Sequence, residues 1–147
     1  MKFYLILFLL LLSTNTLFSQ KSTDTPQDVV KFALTALTNG DIEKLITVTE
    51  NFELRKAKEL LASIDKDTTK KQELINQYKT LKSWEIKESK EHTINSRTLA
   101  IVSTKWIVIP DLETKPEITD NNQTIYVNYM LEQFDGKWKI ISRKSIN

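Results

Sequence analysis

Residues 124–142 read TIYVNYMLEQFDGKWKIIS. Asp135-Gly136 lies between two alternating runs, and such a pair takes the two left-handed positions of a tight hairpin turn. The pairing follows from the turn. Phe134 faces Lys137, Gln133 faces Trp138, Glu132 faces Lys139 and Leu131 faces Ile140. Side chains alternate across a strand, so one face takes Val127, Tyr129, Leu131, Trp138 and Ile140. The other takes Asn128, Glu132, Lys139 and Arg143, with Glu132 and Lys139 as an opposite-charge pair. A slip of one residue would mix the two sets. The strands are predicted at Thr124–Phe134 and Lys137–Ser142, with the apolar face meeting helices.

Working backwards, Thr98–Ile109 is rich in β-branched residues and apolar on both faces at Leu99–Val102 and Trp106–Ile109. Pro110 ends it, having no N–H to give a sheet, and a polar loop is expected from there to Asn122. Trp84 and Ile86 alternate with charges, which predicts a short strand. Before them the apolar period changes to three and four. Leu74, Ile75, Tyr78 and Leu81 form one stripe, and Leu54, Ala57, Leu60, Leu61 and Ile64 another, with a break at Asp65–Thr69 between them. Ile42, Leu45 and Ile46 share a face of a helix that Asp41 is placed to cap. The first helix carries Val29, Val30, Ala33, Ala36 and Leu37. Thr25, Pro26 and Asp28 form its start, and Asn39-Gly40 its stop. Core packing accounts for these stripes. Helices first and about four antiparallel strands after predict an α+β fold, the helices lying across one face of a strongly curved antiparallel sheet.

Residues 1–20 read MKFYLILFLLLLSTNTLFSQ. Lys2, the apolar run Phe3–Leu12, polar Ser13–Thr16 and a small residue at Ser19 match a secretory signal peptide cut between Ser19 and Gln20. A helix over Phe3–Leu12 spans roughly 15 Å, half of a hydrocarbon core of about 30 Å, so no stable membrane anchor is expected. With no Cys in the chain, lipid cannot be attached at the cut. The expected organisation is a signal peptide over 1–19, a flexible lead-in over 20–24 and one domain over 25–147. That domain is expected to be exported, soluble in the periplasm or secreted. The Ser19-Gln20 junction resembles those of Bacteroidota signal peptides.

The 21 Lys and Arg residues are interleaved with 19 Asp and Glu, leaving a net charge of +2. That offers no field for nucleic acid. The absence of Cys excludes disulfides and thiol chemistry. His92 is the one His; it lies among Glu88, Lys90 and Glu91 and reads as exposed surface. One His cannot build a multi-His metal centre, and both glycines are spent on turns, so no metal or cofactor is expected. Trp84, Trp106 and Trp138 all fall on strands. With Tyr129 and Leu131 they are the candidate pocket lining, and core packing explains the same positions.

TPQDVVKF at 25–32 and NGDIEKL at 39–45 resemble the opening of nuclear transport factor 2-like domains, and YMLEQFDGKWKI at 129–140 resembles their closing hairpin. The nearest likeness is to a lumazine-binding-like branch of exported bacterial proteins. The resemblance implies a cone of helices packed into a bent sheet, often around a pocket. It implies functions ranging over isomerases, dehydratases, ligand-binding proteins, transport adaptors and toxin immunity proteins. Isomerases of this fold set an acid and an oxyanion donor inside the cone. Tyr126 and Tyr129 are the candidate donors here, with Tyr129 on the inner face, but no Asp or Glu shares its face of the hairpin. The dehydratases need a His with acidic partners, which His92 does not offer. The expected function is a non-enzymatic exported domain that binds a small molecule or a periplasmic protein. A small-pocket isomerase or dehydratase is one alternative and an immunity or inhibitor protein another. Pairing of family members through the sheet face implies a homodimer. The loop Asp111–Asp120 departs from the family pattern. Asp67-Thr68-Thr69 resembles the acceptor triplet of Bacteroidota O-glycosylation, which would place a sugar on Thr68.

Overall fold

Thr25 opens the first helix through its side chain. Its Oγ1 accepts from the Asp28 amide at 3.2 Å, and the Asp28 carboxylate accepts from the Thr25 amide at 3.3 Å. Both halves of a capping box are thus present, ahead of Pro26 in the first turn. The hydrogen bond from the Thr25 hydroxyl holds the Asp28 carboxyl below its ordinary range. The computed structural model describes residues 24–109 and 122–146. The expected signal segment, its Ser19–Gln20 cut, lead-in residues 20–23, Pro110 and most of the polar loop lie outside the described residues.

Four helices precede four strands: α1 Pro26–Thr38, α2 Ile42–Thr47, α3 Asn51–Lys66, α4 Thr69–Lys79, β1 Leu81–Ile94, β2 Arg97–Val108, β3 Gln123–Phe134 and β4 Lys137–Ile146. The strands form one antiparallel sheet in the order β1-β2-β3-β4. Extra residues at Lys82, Lys87 and Ile141 break its ladders, and such bulges bend and twist a strand. The α+β reading therefore holds, with helices on a curved four-stranded sheet.

The core lies between α1 and the inner sheet face. Val29, Val30, Ala33, Leu34, Ala36 and Leu37 of α1 are buried against Ala100, Val102, Val127, Tyr129, Leu131, Trp138 and Ile140. Leu34 and Leu131 are fully covered, each worth about 1.5–3 kcal/mol relative to exposure. The inner face of the last hairpin is the one its alternation indicates. Trp106 Nε1 donates to Thr104 Oγ1, and that hydroxyl donates to the Val127 carbonyl, both at 2.9 Å. The buried hydroxyl is therefore satisfied.

The hairpin register is as the turn dictates, with Asp135 at φ 48° and Gly136 at φ 75°. Three details differ from expectation. Glu132 stands opposite Lys139, but its carboxylate pairs with Arg97 instead. Arg97 reaches it first with two hydrogen bonds of 2.5 Å, Nε and Nη2 to the two carboxylate oxygens, a fork-to-fork fit that an ammonium cannot match. That contact holds the Glu132 carboxyl below its ordinary range. Lys139 instead donates to the Thr47 carbonyl, and burial pulls its ammonium below the usual lysine range. Asp41 occupies the N-cap position of α2 but makes no side-chain cap bond; its carboxylate takes Lys44 Nζ at 2.9 Å.

Two strands are longer than expected. β1 runs 14 residues because Asn95 and Ser96, at φ 50° and 64°, close a tight turn into β2. β4 continues to Ile146 along β3. The outer sheet face pairs Ile101 with Met130 and Tyr126 with Ile146, all four exposed. His92 is exposed opposite Leu99. Among the described residues, no helix is long and apolar enough to cross a membrane.

Gly40 ends α1 at φ +68°, and a Cβ there would lie 3.0 Å from Ile75 Cγ1 and 3.1 Å from Cδ1. Gly136 is also left-handed but faces open space. Gly40→Ala should therefore lower stability in urea by about 2–3 kcal/mol, and Gly136→Ala by about 1–2, the left-handed cost alone. Equal losses would remove the packing role of Gly40.

Candidate functional site

Tyr129 sits in the middle of β3 on the inner face, 2% exposed. Alternation puts it there, and its ring packs in the core. Its hydroxyl is one of two buried side-chain polar atoms among the described residues with no hydrogen-bond partner; Gln27 Oε1 is the other. An unpartnered buried polar atom costs about 1–3 kcal/mol. Burial pushes the phenol well above its ordinary 10.0, and the Arg143 guanidinium nearby does not offset this. The hydroxyl therefore stays protonated and can donate.

Tyr129 lines a cleft of about 300 Å³ between the helices and the β3–β4 end of the sheet, at the small end of ligand pockets. Ala33 and Leu37 come from α1, Leu45 from α2, Ala57 and Leu60 from α3, and Leu74 from α4. The polar lining is Thr49, Glu53, Lys56, Gln77, Tyr78, Tyr129 and Arg143. Thr49 is spoken for, its hydroxyl donating to the Leu45 carbonyl at 3.0 Å.

Arg143 reaches the cleft through one extra residue. Leu131 pairs with Ile140, but Met130 pairs with Ser142, so Ile141 is bulged. The bulge resets the alternation, and Arg143 stands opposite Tyr129 rather than opposite Asn128. The outward placement expected from strict alternation is thereby corrected. Arg143 remains solvent-exposed, which puts it at the rim, and its Nη1 donates to Tyr78 Oη at 3.4 Å. Its guanidinium is charged at any working pH.

Glu53 is buried, 9% exposed. Lys56 Nζ stands 3.4 Å from its Oε1 and also 4.3 Å from the centre of the Phe52 ring, a cation–π contact that steadies it. The cleft therefore holds one satisfied acid and one guanidinium with no ion pair among the described residues. Its charged and hydroxyl groups can grip a polar ligand head, while its walls are apolar.

Among the five residues expected to line a pocket, Tyr129 lines this cleft. Leu131 and Trp138 are buried in the core, and Trp84 and Trp106 stand opposite each other on β1 and β2, half-buried. Thr68 is exposed at the α3–α4 junction, beside Asp67, which accepts from Thr69. Sequence reasoning missed Glu53, Tyr78 and Arg143 as lining. Glu53 carried a signal: 53, 57, 60 and 64 keep helical spacing, so this acid falls in phase with the apolar stripe of α3. Arg143 carried one too, because Ile140-Ile141 doubles an apolar residue where alternation requires a switch. A second cleft of about 290 Å³ lies by Gly40, Lys44, Asp65 and Lys71, with no unpartnered buried atom in its lining. Among the described residues no three His, Asp or Glu gather as metal ligands.

Neither a protein-family model nor a curated protein matches the chain. Among solved structures it is similar to a candidate NTF2-like transpeptidase from Campylobacter jejuni, at 23% identity over 81% of this chain and 99% of that one, TM-score 0.48. It is similar to an NTF-2 like protein of unknown function from Shewanella oneidensis MR-1, at 18% identity over 84% and 100%, TM-score 0.46. An NTF2-like protein from Cytophaga hutchinsonii ATCC 33406 shares 18% identity over 81% and 92%, TM-score 0.42.

The unpartnered hydroxyl has a measurable consequence. Tyr129→Phe should leave the free energy of unfolding unchanged or raise it by up to about 1 kcal/mol, because no internal hydrogen bond is lost. A drop of more than about 1 kcal/mol in urea denaturation would show that the hydroxyl is bonded in the folded protein.

Proposed function

We propose that this chain is an exported NTF2-like domain that binds a small ligand in the Tyr129 cleft without transforming it. The observation that carries the reading is Tyr129, a residue of the cleft lining whose buried hydroxyl has no hydrogen-bond partner. A buried donor without a partner is a cost that a ligand acceptor removes. Arg143 of the same lining carries only donors, so with the Tyr129 hydroxyl it offers a ligand two donor groups. The one acid in the lining, Glu53, already answers Lys56. The opening TPQDVVKF and closing DGKWKI motifs support the family reading, and the Lys2-to-Gln20 segment supports export.

A second reading draws on Glu53 and Tyr129 lining one cleft: an acid beside a neutral phenol is the pairing a small-pocket isomerase or dehydratase would use. The two readings separate in one experiment. Amide NMR spectra of the native protein, titrated with a library of small fragments, should shift at Ala57, Gln77, Tyr129 and Ile140. Bound fragments should be recovered unchanged. Turnover of a fragment would favour the second reading, and shifts scattered away from these residues would sink both.

Export and modification are read by mass. The intact native protein should begin at Gln20, and a full-length mass would refute cleavage. Added mass that maps to Thr68 is the expected sign of glycosylation at that exposed triplet, and an unmodified chain from native cells refutes it.

A further inference from the structure

We propose that the cleft selects a small monocarboxylate with an apolar tail, its carboxylate held between the Arg143 guanidinium and the Tyr129 hydroxyl. This rests on the ligand-binding reading above and deepens it.

Lys56 answers Glu53 at 3.4 Å. Arg143 has no ion pair among the described residues, and its partner is the neutral Tyr78 hydroxyl at 3.4 Å. One positive charge is left over at the cleft rim, so a ligand with one negative charge balances it. A cationic head would meet Arg143 as a like charge, and a dianion would set its second charge against buried Glu53.

The donors point the same way. A guanidinium presents a planar fork that matches the two oxygens of a carboxylate. The Tyr129 hydroxyl, kept neutral by burial, adds a third bond to one of those oxygens and relieves its own lack of a partner. The rest of the cleft is built for hydrocarbon. Leu37, Leu45, Ala57, Leu60 and Leu74 form its walls, and a volume of about 300 Å³ admits a short chain or one small ring.

The probes are hexanoate, hexan-1-ol, hexylamine and inorganic phosphate, titrated into the native protein by NMR or calorimetry. Hexanoate should bind at least tenfold more tightly than the alcohol or the amine, and phosphate should leave the cleft resonances unmoved. Arg143→Gln and Tyr129→Phe should each weaken hexanoate at least fivefold while changing hexan-1-ol less than twofold. Arg143 is exposed and gives up one 3.4 Å contact to Tyr78, and Tyr129→Phe removes no internal hydrogen bond, so both variants should keep the fold, which their amide spectra check directly. Hexanoate binding no tighter than the alcohol, or unchanged in Arg143→Gln, overturns the carboxylate assignment. Binding of the alcohol or amine at the cleft with weak hexanoate leaves the ligand-binding reading standing and removes this one alone. Failure of every organic probe overturns the assignment, and the fragment titration then decides whether the wider reading falls with it.

Discussion

The ladder between β3 and β4 is the constraint on which the rest depends. The Asp135-Gly136 turn starts it in one register, and the bulge at Ile141 shifts it to another. On the turn side of the bulge, alternation puts Leu131, Trp138 and Ile140 into the core. Beyond it, the extra residue rotates Arg143 onto the side of Tyr129. A single inserted residue thus decides whether the sheet offers the helices an all-apolar surface or one with a guanidinium at its margin. Ile140 is held at this junction by more than β3. Its amide donates to the Val48 carbonyl at 2.8 Å, and its carbonyl accepts from the Glu50 amide at 2.9 Å. The α2–α3 connection therefore pairs with the free edge of β4, covering part of an edge that would otherwise be open.

That pairing also places the cleft. Thr49 bridges to Ile140, so α3 begins beside the bulge and brings Glu53 and Ala57 over Tyr129. α1 covers the inner face of the sheet with a fully buried stripe. α4 has no fully buried residue and packs on α1 and α3. Its contribution to the cleft, Leu74, Gln77 and Tyr78, is half-buried or exposed. An element with so little buried surface opens at lower free energy than the α1–sheet core, and the cleft has its softest wall there.

Legibility in the sequence followed the range of the interactions. The capping box of Thr25 and Asp28, the Gly40 stop, the helical stripes and the Asp135-Gly136 register were all readable because each depends on neighbours within four residues. The true length of β1 was not, since Asn95-Ser96 is a weaker turn signal than Asp-Gly and the strand is dense in charge. The partner of Glu132 was misread for a related reason: Lys139 is its cross-strand neighbour, but Arg97 lies 35 positions away in sequence. The cleft lining was legible in part. Tyr129 announced itself by alternation, whereas the same alternation put Arg143 on the outer face, and Glu53 is of a type that is mostly exposed.

By itself, then, the sequence determined the α+β class, the order of elements, the inner face of the last hairpin and the exclusion of thiol chemistry. These rest on local periodicity, turn chemistry and composition. Tertiary structure alone decided which polar groups meet. The bulge at Ile141 turns Arg143 toward Tyr129, the strand-like bridge at Thr49 carries Glu53 over the same cleft, and the core closes on Tyr129 without giving its hydroxyl a partner. Each is a contact between segments far apart in the chain, and neither periodicity nor pairing rules can assign such contacts before the chain has folded.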